Sequence, residues 1–334
     1  MINILLNTES RKDANVNYIL GYAPEFCILA FDDKANRKCL FVASFERDMY
    51  KGVKCYSFNP DTFRKDLHKY FKRNIVKVGI NEAGLSVKGL KMFRKLLRAK
   101  TVDISSKLMK LRLRKTTKEI QKIKTACHLT DKIFGEICIL CKRKKFATEC
   151  DINNYILKRC IDLGVEPSFS PVVASGSNGA KPHHIPGNKK LKGFTVIDFG
   201  VKYKSYCSDM TRMIYFGNPS KRELFDYEIV LNAQENAIKS VKKGMFFFRL
   251  DKNVRNVIGN KFIHALGHGI GVEIHEPPSV SPKSKDKIES RMVFTIEPGL
   301  YVKGRYGIRI EDAVVFSGDK AIRLTRSSKR LVIR

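Results

Sequence analysis

Four acidic residues stand where a sheet protein ordinarily keeps apolar side chains. Asp198 lies inside FTVIDFG, Asp209 borders the run in SYCSDMTRMIYFG, Glu297 sits in MVFTIEPGLYV and Glu311 in GIRIEDAVVF. Each run reads as a β-strand, and a carboxylate buried in a core is costly unless it is paired or metal-bound. The last two runs are joined by a short VKGRYG turn, which predicts an antiparallel hairpin. Arg309 and Glu311, two apart, would then share one face of the sheet. Four carboxylates gathered in one core repel one another, and one or two divalent cations remove that repulsion. Oxygen ligands with a single imidazole suit Mn²⁺, Fe²⁺, Co²⁺ or Zn²⁺. Two ions sharing bridging carboxylates can hold a hydroxide at neutral pH and polarise a carbonyl, which is hydrolytic chemistry. Any one of these acids alone reads as a strand-end partner for a lysine. The four together argue for a metal centre.

Between the acidic pairs lies HALGHGIGVEIHEPP, residues 264–278, with three of the chain's seven histidines. His264 and His268 have the i, i+4 spacing of an HExxH zinc helix, but Ala265 replaces the catalytic Glu. Gly267, Gly269 and Gly271 make a continuous helix costly here. The spacing is a lookalike, and the glycines let backbone and rings come close to a metal or substrate.

The rest of the chain organises into two blocks. Residues 1–112 carry strand-like FCILAF (26–31), KCLFVAS (38–44) and VKVGI, and helical TFRKDLHKYFKR (62–73) and KGLKMFRKLLRAK (88–100), which predicts a small α/β domain. Residues 113–334 open with a helix N-capped by Thr116 or Thr117 and continue with ECDINNYILKRCIDLG, ending at Gly164. The acidic strands follow. No apolar run approaches the roughly 20 residues that span a bilayer, and the N-terminus lacks a signal-peptide pattern, so the expectation is a cytoplasmic protein. Nine cysteines, an odd number, read as reduced thiols. Cys138 and Cys141 form a CxxC on an apolar helix with no second ligand pair, so they read as helix thiols rather than a zinc site. The net charge of +31 is spread along the chain without an arm or a nucleic-acid motif, and reads as a solvated lysine-rich surface rather than a nucleic-acid interface.

IDFG with a following SDMTR, then HALGHGIGVEIHEPP, FTIEPGLY and GIRIED resembles the pita-bread metallopeptidases, which include methionine aminopeptidases, aminopeptidase P and Xaa-Pro dipeptidase (prolidase). The resemblance covers about residues 112–334. The first block is similar to the N-terminal creatinase/prolidase-type domain through NYILGY, VGI and LRLRKTTKEI. The implied fold is α+β, a C-terminal pita-bread domain over 113–334 preceded by a smaller α/β domain over 1–112. The resemblance implies two divalent ions, Mn²⁺ or Co²⁺ in first place with Zn²⁺ or Fe²⁺ as alternatives. Asp198, Asp209, His268, Glu297 and Glu311 would ligate them, with Asp209 and Glu311 bridging. It also implies that Glu297 acts as the base and that His275 stabilises the tetrahedral intermediate. His183, in the loop VVASGSNGAKPHHIPGNKKL, would be the substrate-side histidine. His264 and Arg309 would lie near the substrate.

More than 100 residues precede the catalytic block and the loop reads NGAKPHH, which together favour the proline-directed branch. The implied activity is hydrolysis of an Xaa-Pro bond in a peptide with proline at its second position, by a homodimer. A methionine-directed or broad aminopeptidase, and a non-enzymatic binding module, are the alternatives. Some prolidases carry an Arg soon after the HE, written HEWPR. Here Ser279 stands in its place, which puts a strict dipeptidase in doubt. Ser290-Arg291 replaces a turn that commonly carries Glu-Gly.

Overall fold

The computed structural model describes residues 1–34 and 36–334. The chain divides into two compact units, Met1–Leu111 and Arg112–Arg334.

The first unit holds β1 (Ile2–Asn7), α1 (Ala14–Leu20), β2 (Cys27–Asp32), β3 (Lys38–Val42), β4 (Lys54–Ser57), α2 (Phe63–Phe71), β5 (Lys77–Ile80), α3 (Val87–Leu97) and β6 (Lys100–Asp103); α4 (Ser105–Leu113) contains the boundary. The strands form one mixed sheet in the order β4-β3-β2-β1-β5-β6. β1 is buried along its whole length because both sheet faces are covered. Ile2, Ile4 and Leu6 meet Phe63, Leu67, Phe71, Phe93 and Leu97, and Leu5 meets Val16 and Leu108. β2, β3, β5, α2 and α3 are legible in the sequence, whereas β1, β4 and β6 are not. A six-residue apolar run such as β1 is ambiguous by pattern alone. β4 and β6 are the two sheet edges, four residues each and mostly half-exposed, so they carry little hydrophobic signal.

The second unit continues with α5 (Thr117–Lys142), α6 (Glu149–Asp162), β7 (Glu166–Pro167), β8 (Val172–Ser175), β9 (Gly193–Phe199), β10 (Val201–Tyr203), β11 (Tyr206–Cys207) and β12 (Met210–Phe216). Then come α7 (Lys221–Ser240), α8 (Phe247–Ile258), β13 (Gly267–Gly269), β14 (Glu276–Val280), β15 (Val293–Ile296), β16 (Gly299–Val302), β17 (Tyr306–Arg309), β18 (Asp312–Ser317), β19 (Lys320–Arg323) and β20 (Val332–Ile333). Thr116 caps α5 in a reciprocal capping box with Glu119, Thr148 caps α6 with Asp151, and Ser220 caps α7 with Glu223.

β20-β12-β9-β8 form one sheet and β14-β13-β15-β18-β19 another; β11-β10-β7 and β16-β17 are small satellites. In β9, Ile197 and Phe199 pack with Ile133, Ile137 and Ile156 of α5 and α6. Phe194 and Val196 face the other way, into the cluster built by α7, α8 and the β15–β18 region. Strand alternation therefore puts Asp198 on the face of Phe194 and Val196, at the end where that core stops.

Candidate metal centre and substrate cavity

β9 and β12 are antiparallel with Thr211 opposite Asp198. Asp209 lies two residues before Thr211 and so falls on the same face, beside Asp198. The other half of the site comes from the predicted hairpin, which is split between two sheets. β15 pairs with β18, and β16 pairs with β17 inside it. Arg309 ends β17, and Glu311 lies in the link before β18, so the two do not share one continuous strand as the spacing suggests. They reach the same cavity from either side of a sheet switch. Glu311 is tied to β12 by its N–H donating to the Thr211 carbonyl (3.2 Å) and by Thr211 Oγ1 donating to Oε2 (2.8 Å).

The histidine segment is extended, with β13 at Gly267–Gly269. Its glycines are required by crowding, not by φ. A Cβ on Gly267 would stand 2.1 Å from the Thr295 carbonyl oxygen, and one on Gly269 2.3 Å from that of Pro277. This tight seating delivers His268 to the acids. Its Nε2 lies 3.5 Å from Asp209 Oδ2 and 3.4 Å from Glu297 Oε1. Its Nδ1 faces the Gly269 carbonyl at 3.2 Å. A carbonyl only accepts, so Nδ1 carries a proton and Nε2 is turned to the acids, the arrangement usual in a metal-ligating histidine.

Ligand atoms of Asp209, His268 and Glu311 lie within 4.8 Å of one another, and Asp198 and Glu297 line the same cavity. Asp198 Oδ1, Asp209 Oδ1 and Glu311 Oε1 are buried without a hydrogen-bond partner among the described residues. Burial pushes the Asp209 carboxyl up to about 6, with His268 opposing and Asp198 adding to the rise. Burial likewise pushes Glu297 up to about 7 and raises Glu311 strongly, and neighbouring carboxylates contribute to both. Burial works against the charge of His268, but Asp209 and Glu297 override it and raise the imidazole to about 9. Orphaned oxygens and carboxyls that retain protons describe a group short of positive charge, so these residues fit divalent cations.

Among the described residues Arg309 is the one arginine lining the cavity, and its charge is used internally. Nη2 pairs with Asp198, Nε donates to Thr211 Oγ1 (3.2 Å) and Nη1 to the Tyr301 hydroxyl (2.9 Å). Tyr301 in turn meets His264 Nε2 at 2.9 Å, and His264 Nδ1 meets the Ala265 carbonyl at 2.7 Å. Burial first, and then Arg309, lower the His264 imidazole to about 4, so it is neutral and accepts from Tyr301 through Nε2. His264 therefore props Tyr301 and Arg309. Its spacing to His268 has no role in ligation.

His275 packs edge-on against His268, with ring centroids 4.3 Å apart. The loop carrying it is held by Glu276, whose buried carboxylate takes Lys115 Nζ at 2.7 Å and the Arg112 guanidinium. His183, His184 and Ser279 also line the cavity, which has a volume of about 880 Å³. Phe169, Ile185 and Ile274 provide an apolar wall. Tyr301, Lys115, Arg112 and Glu149, which bonds His184, are absent from the sequence reading. The Thr148–Asp151 capping box that brackets Glu149 is a local signal of the helix start there, but not of the role of Glu149. Cys138 and Cys141 are free thiols on α5, and burial raises them to about 11 and about 12, as expected of helix thiols. No described helix is long and apolar enough to cross a membrane.

The profile of metallopeptidase family M24 matches residues 121–317. An uncharacterised peptidase of Staphylococcus aureus is 40% identical over 235 residues, 68% of this chain and 66% of its own length. An Xaa-Pro dipeptidase of Pyrococcus furiosus is 33% identical over 96% of this chain and 93% of its own. Among solved structures, the X-Pro aminopeptidase of Thermotoga maritima superposes with a TM-score of 0.90 at 28% identity, covering 100% of this chain and 97% of its own. The prolidase of Pyrococcus horikoshii superposes at 0.87 and 30% identity, covering 99% and 95%. The fold is thus the α+β pita-bread fold, and the chemistry is that of a hydrolase using divalent metal ions. The chain belongs to metallopeptidase family M24.

Proposed function

We propose that the protein is an Xaa-Pro exopeptidase that removes the residue before proline and prefers peptides longer than a dipeptide. The observation that carries this reading is the charge of the cavity. Asp198, Asp209, Glu297 and Glu311 line it and are assigned to the metal ions, whereas Arg309, the only arginine among the described lining residues, is already committed to Asp198 and Tyr301, and no lysine is among the described lining residues. A dipeptide would place its own carboxylate within this volume without a free arginine or lysine to pair with it, and burying that charge unpaired is costly. A longer chain carries its carboxylate out of the cavity. The apolar wall of Phe169, Ile185 and Ile274 suits a pyrrolidine ring.

Asp198, Asp209, His268, Glu297 and Glu311 would hold two ions, Mn²⁺ or Co²⁺. Such ions, when bound, supply a nucleophile from water at neutral pH and polarise the scissile carbonyl. Glu297 takes the proton of the attacking water and passes it to the leaving proline nitrogen. His275 donates to the oxyanion and His183 orients the peptide. His264, through Tyr301, keeps Arg309 on Asp198. The Xaa-Pro dipeptidase, X-Pro aminopeptidase and prolidase relatives described above support the choice of bond. A homodimer is part of the same reading, to be checked by light scattering.

The test is turnover of Ala-Pro-Ala, Ala-Pro and Met-Ala-Ser by Mn²⁺-loaded protein, with elemental analysis. Turnover in the order Ala-Pro-Ala, then Ala-Pro, with two divalent ions per chain, is expected. Preference for Met-Ala-Ser overturns the proline reading, and preference for Ala-Pro overturns the length reading. Asp209→Ala is expected to abolish metal loading and activity while far-UV circular dichroism stays unchanged.

A further inference from the structure

Glu149 opens α6, and its side chain is 0% exposed. Four donors converge on it, all from one stretch of chain. The Ser175 N–H (2.7 Å) and the Asn178 amide (2.9 Å) donate to Oε1. His184 Nε2 (2.8 Å) and the Gly187 N–H (3.1 Å) meet Oε2. Residues 175–187 are thus wrapped around one carboxylate, and this is the loop that brings Pro182 and His183 to the cavity. Its far end is clipped to the same helix entrance by backbone bonds, Glu149 N–H to Lys189 carbonyl (3.1 Å) and Cys150 N–H to Gly187 carbonyl (3.0 Å).

A buried carboxylate is tolerated only when its lone pairs are filled, and here the filling groups come from both ends and the middle of the loop. Burial pushes the Glu149 carboxyl up, but the four donors outweigh it and hold it below its usual value. The adjacent histidines divide the work. His184 binds Glu149, while the exposed His183 ring has no hydrogen bond of its own among the described residues, so its placement depends on the backbone that His184 and Glu149 secure.

We propose that Glu149, acting through His184, is a positioning residue that sets the presentation of His183 to the peptide. This rests on the reading of His183 as the substrate-side histidine. The test compares wild type, His184→Ala, His184→Gln, Glu149→Gln and the Glu149→Gln/His184→Ala double variant as metal-loaded full chains, measuring kcat, KM, metal content and hydrogen exchange of residues 175–187. In His184→Ala and Glu149→Gln, kcat/KM falls on the order of 10- to 100-fold, the scale of an ångström misplacement. Metal content is unchanged, and faster exchange is confined to 175–187. His184→Gln places an amide N–H₂ near the position of Nε2, keeps a donor on the Glu149 carboxylate and restores kcat/KM to within about 3-fold of wild type. The double variant is no worse than the worse single one. The proposal is overturned if His184→Ala retains wild-type kcat/KM, if His184→Gln fails as His184→Ala does, or if activity is lost in proportion to metal. If wild type cleaves no Xaa-Pro peptide, the function proposed above fails. The exchange pattern then still decides whether Glu149 and His184 hold the loop.

Discussion

Arg212 and Asp312 show how much a single side chain can carry here. Arg212 is 1% exposed and Asp312 0%, and they bond at 2.6 Å directly behind Glu311, whose carbonyl Arg212 also binds. Gln234 and Thr325 fill the remaining sites on Asp312. Removing one partner of a buried pair leaves the other charge unmatched, so Asp312→Ala is expected to cost about 3–5 kcal/mol, read as a shifted urea midpoint. Asp312→Asn, which keeps the shape and one acceptor, should cost less. The four acids of the site were legible as residues because each interrupts an apolar run. Tyr301 and Lys115 were not, because nothing in LYV or in RKTT marks the tyrosine as the link between His264 and Arg309, or the lysine as the partner of Glu276.

At the scale of elements, caps and glycines follow local rules. Thr116 or Thr117 reads as a helix N-cap, and Thr116 is the one that caps, in a box with Glu119. The turn before β15 is different. Arg291 takes a φ of +67° where glycine would be unstrained, while its N–H bonds Phe316 and its carbonyl accepts from Lys115. Arg291→Gly is expected to stabilise the protein by about 0.5–1 kcal/mol, the left-handed strain less the added freedom of the unfolded chain. A raised Tm with unchanged kcat would bear this out. Gly267→Ala tests the opposite kind of glycine. Its Cβ meets the Thr295 carbonyl, so β13 must shift, at a cost of about 1–3 kcal/mol. Because His268 moves with the strand, metal affinity should fall as well, measurable by titration with Mn²⁺. The hairpin was legible, but its division between two sheets was not, since the strand-to-strand register that moves Glu311 off the line of Arg309 depends on β12 and β18 as partners.

For the whole molecule, charge sets the working range. The chain carries +31 at neutral pH, and acid adds to this by discharging its 33 acidic residues. Arg159 holds Glu136 below its usual value of 4.5. Burial pushes Glu149 and Glu223 the other way, but their hydrogen-bond donors outweigh it and lower both. A carboxyl whose folded pKa is depressed adds stability that is complete above the unfolded value and is lost as pH falls through the folded one. The buried neutral His264, lowered to about 4, acts in the same direction, because its unfolded imidazole takes up a proton below about pH 6.5; the Tm of metal-loaded protein should therefore fall progressively as pH drops from about 6.5 through 4. A maximum below pH 4 would contradict this. What could be read from the chain alone was whatever rests on local order: acids inside strands, helix caps, glycines crowded around histidines. The partners that make those residues work lie far away in the chain, Glu149 35 residues from His184 and Arg112 164 residues from Glu276. Such pairs form only when strand register and helix packing bring distant faces together, and the need to satisfy every buried charge then selects them.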